Sequence, residues 1–207
     1  MELKNCINDV FKDYCEDYKC LLYDFRPWAE EHSIHETNQV SNFISTYRKK
    51  REKSIACLEF SIPYNNAEGV KKRDSVDGLI VDADTIIFIE AKRFSRGKKI
   101  RDLEEDLKRI KVLAEDEVCR KKKLKTGFLK KMHHTIVSAC CWQIFGLIIT
   151  AVYIVSIKKK NNLNWDAIWG GYNATLSGSG YSSDKNINIK VHENYYLAYA
   201  LFKLTDF

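Results

Sequence analysis

Apolar residues recur with a rough helical period over the first fifty positions. Val10, Tyr14, Tyr18, Leu21 and Leu22 fall on one stripe that Pro27 interrupts. A second stripe of Val40, Phe43 and Tyr47 follows, and the SIHE segment before it offers Ser33 as N-cap with Glu36 three residues on, a capping box. From residue 54 the period changes to two. Ala56, Leu58, Phe60 and Ile62 alternate with Cys57, Glu59 and Ser61, which predicts a strand over 54–64, and NNAEGVKKRD (65–74) reads as loop.

Residues 76–82 and 85–92 predict two more strands, apolar on both faces except at one end. Residues 98–118 then return to a helical period, with Ile100, Leu103, Leu107, Ile110 and Val118 on the side that would cover a sheet. A strand over 143–155, a Ser/Gly-rich loop over 173–186 and the aromatic segment ENYYLAYALFKL (193–204) close the chain. No repeat or long linker divides it. The expectation is one α/β domain over residues 1–207, a central mixed sheet flanked by helices. Its α-β-β-β-α-β core covers about residues 33–155, with an N-terminal helical region (1–32) and a C-terminal extension (156–207).

Residues 136–157 carry no charge over 22 positions, long enough to cross a membrane as a helix. The second half of the run is rich in β-branched and aromatic residues, Gly146 breaks it, and lysines flank both sides without the asymmetry that orients a spanning helix. It therefore reads as a helix end followed by a buried central strand, with no membrane partner.

An apolar content of 45% over 207 residues suits a globular domain rather than a disordered chain. The formal charge of +6 is unevenly spread: 48–53, 92–101, 120–131 and 158–160 are basic, whereas 102–117 is acid-rich. Such clustering suits a polyanion partner, although each run also reads as a solvated face. The seven cysteines form an odd, scattered set without Cys-x-x-Cys repeats behind a charged N-terminus, which fits a reducing cytoplasm. Cys15, Cys20, His32 and His35 approach a zinc spacing, but the two histidines are too close in sequence.

The predicted strands 76–82 and 85–92 are separated by Ala83 and Asp84 alone, so the simplest connection is a two-residue hairpin loop. That register sets Asp77 opposite Glu90, with Cβ atoms about 4.5–5.5 Å apart on one face, and Lys92 joins them because residues two apart along a strand share a side. The same face carries Leu79, Val81, Ile86 and Phe88. Opposed carboxylates repel, and a divalent cation removes the conflict. Mg²⁺ or Mn²⁺ would take oxygen from Asp77, Glu90 and the Ala91 carbonyl, with water completing the shell. The plainer alternative is a solvated hairpin end with an ion pair between Glu90 and Lys92.

Asp77, then after a hairpin Glu90-Ala91-Lys92, flanked by predicted helices, resembles the PD-(D/E)XK nuclease superfamily, the restriction-endonuclease-like fold. The resemblance implies that Asp77 and Glu90 bind Mg²⁺ or Mn²⁺, which activates water and stabilises charge on a phosphate, and that Lys92 orients or activates that water as a cation. Asp77, Glu90 and Lys92 would then be catalytic in hydrolysing a phosphodiester. The family often adds a glutamate from its first helix, a place that Glu36 matches, with Glu59 on the first strand as competitor. The SVDG segment lacks the proline of the family's name. The Gln-x-x-x-Tyr of the exonuclease branch is absent from 98–118, which favours an endonuclease. The implied partner is double-stranded DNA, held by Arg93, Arg96, Lys98, Lys99 and Arg101 next to the site. A homodimer would let two sites cut two strands. The rival readings are an inactive nucleic-acid-binding protein of the same fold and a membrane-anchored interaction protein built on 136–157.

Overall fold

The computed structural model describes residues 3–24, 35–65, 71–82, 85–94, 143–153, 185–192 and 195–206. Helix α1 (Leu3–Asp24) buries Ile7, Val10, Phe11, Tyr14 and Tyr18 along one stripe and leaves Asp9, Lys12, Asp13, Glu16 and Asp17 in solvent. Cys15 lies on its buried side at 1% exposure, and burial pushes its thiol up to about 12, while Cys20 is exposed. The two cysteines of the near-zinc spacing therefore do not share a site; His32 lies outside the described residues.

Helix α2 (Glu36–Lys50) buries Val40, Phe43, Ile44 and Tyr47. Its N-cap is His35, whose Nδ1 accepts from the Thr37 amide at 3.4 Å, and not Ser33 as the capping-box spacing predicts. An N-cap side chain reaches the amide two or three residues ahead, and with the first helical residue at Glu36 only position 35 meets that requirement for Thr37. Glu36 thus opens the helix, where a carboxylate suits the positive end of the helix dipole.

The two helices run antiparallel. Asp17 accepts from Thr46 at 3.4 Å and pairs with Lys49 at 3.6 Å, and Asp13 pairs with Lys50 at 2.7 Å. Exposed pairs of this kind contribute little each. Edge-on ring contacts between Tyr14 and Phe43 (centroids 5.9 Å apart) and between Phe11 and Tyr199 (4.6 Å) carry more of the adhesion. Arg51 lies 3.6 Å from the Asp82 carboxylate and donates to Cys6 Sγ at 3.4 Å. Lys49, Lys50 and Arg51 of the 48–53 basic run are thereby engaged within the fold.

Behind the helices lies a six-stranded mixed sheet in the order β1-β2-β3-β4-β6-β5. Its strands are β1 (Ile55–Asn65), β2 (Lys71–Asp82), β3 (Thr85–Phe94), β4 (Gln143–Tyr153), β5 (Lys185–His192) and β6 (Tyr195–Asp206). Neighbours are antiparallel except β3 and β4, which are parallel. A parallel pair needs a crossover connection; the helix predicted for 98–118 falls between these strands and lies outside the described residues. The predicted 65–74 loop is shorter than its composition suggests. Arg73, Lys72 and Lys71 pair with Pro63, Tyr64 and Asn65, because ladder hydrogen bonds join backbones whatever the side chains.

The uncharged 136–157 run contains β4, whose Leu147, Ile148 and Ile149 are fully buried. Among the described residues no helix is long and apolar enough to cross a membrane. The C-terminal segment contributes two strands to the same sheet. β6 inserts between β4 and β5, and its Leu197, Tyr199 and Leu201 enter the main hydrophobic cluster. That cluster joins both helices to Ile80, Ile87, Ile89, Ala91, Phe145, Leu147 and Ile149. Leu79, Val81, Phe88, Ile148 and Ala200 alternate with them and are buried on the opposite face. Gly78 lets α2 pack tightly on the sheet, since a Cβ there would stand 2.6 Å from Val40 Cγ1.

Candidate active site at the end of the hairpin ladder

The β2–β3 pairing follows the predicted register from Asp82 opposite Thr85 to Gly78 opposite Ile89. It stops one step short of Asp77 and Glu90. There Asp77 Oδ2 accepts a hydrogen bond from the Ala91 amide at 2.8 Å. The carboxylate does what a strand carbonyl would do in a continued ladder, and its orientation is set by the backbone of the neighbouring strand.

Asp77 and Glu90 alternate with the helix-facing Gly78, Ile80, Ile89 and Ala91, so both belong to the face of Leu79, Val81 and Phe88. Glu90 is 1% exposed. A carboxylate so deeply buried is costly unless it is paired or hydrogen-bonded, and neither Glu90 nor Lys92 is without a partner. Lys92, half-buried, follows two residues on along β3 and shares the side of Glu90. Ala91 lies between them with its side chain in the helix-side core and its amide on Asp77.

Across the other ladder Leu58 pairs with Gly78 and Phe60 with Val76, which sets Glu59 beside Asp77. Acidic positions 59, 77 and 90 therefore form one row over three strands. Glu59 itself is exposed and has a φ of 51°, a left-handed backbone that costs a non-glycine residue about 1–2 kcal/mol. Among the described residues no three His, Cys, Asp or Glu side chains gather closely enough to hold a metal.

Glu36 stands at the same end of the sheet. Tyr47 of α2 donates to Asp82 at the turn end of the hairpin (2.8 Å) and Val40 lies over Gly78, so the turn before Val40 carries Glu36 on past Gly78 towards Asp77 and Ala91. Its helix covers the face opposite the two acids, and Glu36 is half-buried with a partner of its own. Arg93 is on β3 opposite Ala151; its side chain, and all of Arg96, Lys98, Lys99 and Arg101, lie outside the described residues.

Thr150 is a residue that sequence reasoning missed. It pairs with Lys92 across the parallel β3–β4 ladder, is 2% exposed, and its hydroxyl has no hydrogen-bond partner among the described residues. The available signal was a lone polar residue in the apolar run GLIITAVY.

Compared with protein-family models, with curated proteins and with solved structures, the chain matches none. The chemistry of the site therefore rests on its own donors. Two carboxylates in one row, with the Ala91 backbone adjoining both, supply hard oxygen of the type that Mg²⁺ or Mn²⁺ accepts. Mg²⁺ in particular is commonly held by one or two carboxylates and keeps several waters.

Proposed function

We propose that the chain is a metal-dependent nuclease that hydrolyses phosphodiester bonds in DNA, with a restriction-endonuclease-like core. The observation that carries this reading is the end of the hairpin ladder. Asp77 is aimed by the Ala91 amide beside a buried Glu90, and Lys92 follows on the same side of the strand. The sheet order supports it, with β1, β2 and β3 antiparallel in sequence order and β4 parallel to β3.

Asp77, Glu90 and the Ala91 carbonyl would hold Mg²⁺ or Mn²⁺, an ion that supplies Lewis acidity at a phosphoryl oxygen. The Ala91 amide keeps the Asp77 carboxylate in one orientation, so little side-chain freedom is lost on loading. Lys92 offers an ammonium to the negative charge that grows on the phosphate as water attacks phosphorus and the ester oxygen leaves. Arg93, Arg96, Lys98, Lys99 and Arg101 follow Lys92 at once in sequence and would contact the DNA backbone, a role independent of base sequence. Internal cleavage is the proposed mode, and a homodimer would supply the second site needed to cut both strands.

The test is nicking of supercoiled plasmid with Mg²⁺ or Mn²⁺ by the wild type, Asp77→Ala and Lys92→Ala. The wild type should nick, and each variant should lose about a hundredfold or more, in the range seen when a charge-stabilising group is removed. Equal rates in all three would refute the assignment. DNA binding without cleavage in any of them would assign a nucleic-acid-binding role instead.

A further inference from the structure

Among the described residues, Thr150 is the buried polar group on the Glu90 face that the proposed site leaves unused. Leu147 and Ile149 face the helices, so Thr150 and Ile148 face the other way, level with Lys92 and Glu90 of β3. At 2% exposure, with its hydroxyl unpartnered, Thr150 is worse placed for stability than a valine of the same shape would be. A hydroxyl in that position calls for a role other than packing.

The ladder sets Thr150 beside side chains that the proposed site does use, so the hydroxyl is placed to act through them. On β3 these are Lys92, directly paired with it, and Glu90, two residues back. Neighbouring strands stand about 4.8 Å apart, within the reach of a lysine's four-carbon stem, and a threonine oxygen accepts from an ammonium. Catalytic hydrogen bonds are often incomplete in the unloaded state and close when substrate binds.

We propose that Thr150 is a positioning residue for Lys92. Its hydroxyl accepts a hydrogen bond from the ammonium once a phosphate is bound, and thereby fixes the cation against the reacting group. The assignment rests on the nuclease reading above and adds a residue to it.

The experiment compares the wild type, Thr150→Val, Thr150→Ser and Asp77→Asn in single-turnover nicking of plasmid at saturating Mg²⁺ over a series of protein concentrations, with urea unfolding of each protein alongside. Thr150→Val should fold at least as stably as the wild type. Its limiting rate should fall about tenfold to a hundredfold, the worth of one charge-assisted hydrogen bond, with the half-saturating concentration unchanged. Thr150→Ser should recover most of that rate. A Thr150→Val protein that cuts at the wild-type rate, while Asp77→Asn does not, would overturn the role of Thr150 and leave the nuclease reading standing. A Thr150→Ser protein as slow as Thr150→Val would also overturn it, because the hydroxyl would then not be what matters. A wild type that cuts no faster than Asp77→Asn would overturn the nuclease reading and this assignment with it.

Discussion

Replacing Gly78 by alanine tests how α2 seats the strand that carries Asp77. The new Cβ would lie 2.6 Å from Val40 Cγ1 and 3.3 Å from Ile44 Cδ1. Carbon atoms rest about 3.5–4.0 Å apart, so the Val40 contact is short by about 1 Å. The tip of Ile44 can turn aside, but a valine in a helix is held to one side-chain rotamer. Relief must therefore come from a shift of α2 or a bend in β2. Overpacking of this size costs about 1–3 kcal/mol, and the lower unfolded-chain entropy of alanine offsets about 0.4–1 kcal/mol of it. Gly78→Ala should then lose about 0.5–2 kcal/mol.

Val40→Ala alone should lose about 2 kcal/mol, from two buried methyl groups and the cavity left behind. In the double variant the alanine methyl at 78 moves into space that Val40 vacated. The combined loss should therefore fall short of the sum by about 1 kcal/mol or more, as expected for residues in direct contact. Urea unfolding followed by circular dichroism measures all four proteins. Losses that add to within about 0.5 kcal/mol, or a Gly78→Ala protein more stable than the wild type, would refute the close approach of α2 to β2.

Two further outcomes follow from buried phenols. Tyr47→Phe removes the 2.8 Å hydrogen bond to an Asp82 carboxylate that is only 14% exposed, and should cost about 1.5–3 kcal/mol in urea unfolding, whereas a loss below about 0.5 kcal/mol would mean the bond is idle. Burial raises Tyr199 from the ordinary phenol value of 10.0 to about 12, and raises Tyr14 and Tyr47 well above it. Their stabilisation is complete below the unfolded value and is lost as pH rises through the folded values. Absorbance at alkaline pH should accordingly show these phenols ionising only as the chain unfolds above about pH 10, and full ionisation near that pH with the fold intact would contradict their burial.

The parts of the fold written in local patterns were legible. The β2–β3 hairpin is one such part, because two apolar runs around Ala83 and Asp84 leave a single compact register, and β4 is another, because Gly146 and β-branched residues mark a buried strand. Features that depend on backbone contacts were not. The pairing of Lys71, Lys72 and Arg73 with β1 comes from ladder hydrogen bonds that leave no trace in a run of charges. The N-cap is His35 and not Ser33 because both side chains can accept a hydrogen bond from a backbone amide and only the local backbone decides which does. The place of β6 beside β4 is a non-local pairing, and its run YYLAYAL is apolar on both faces, which hides the period of two. At the candidate site the row of Asp77 and Glu90 was readable from parity and loop length. The bond from the Ala91 amide was not, since it depends on where the ladder ends.

Asp77 and Asp82, two of the three aspartates of β2, differ in the contacts that the fold gives them. Asp82 lies at the turn end, where Tyr47 donates to it and Arg51 stands 3.6 Å away, so hydrogen bond and counter-charge both come from within the fold. Asp77 lies at the other end, where its described contact is a backbone amide that orients the carboxylate without neutralising it. Helix α2 reinforces the difference. Its basic last turn, Arg48, Lys49 and Lys50, stands towards Asp82, while its N-terminus, with a partial positive charge too diffuse to act as a counter-ion, points to the Asp77 end. Among the described contacts the Asp77 carboxylate is oriented by backbone and stands level with a buried Glu90, whereas Asp82 is held by a phenol and a guanidinium, and this contrast within one strand is the physical reason to test the Asp77 end for chemistry.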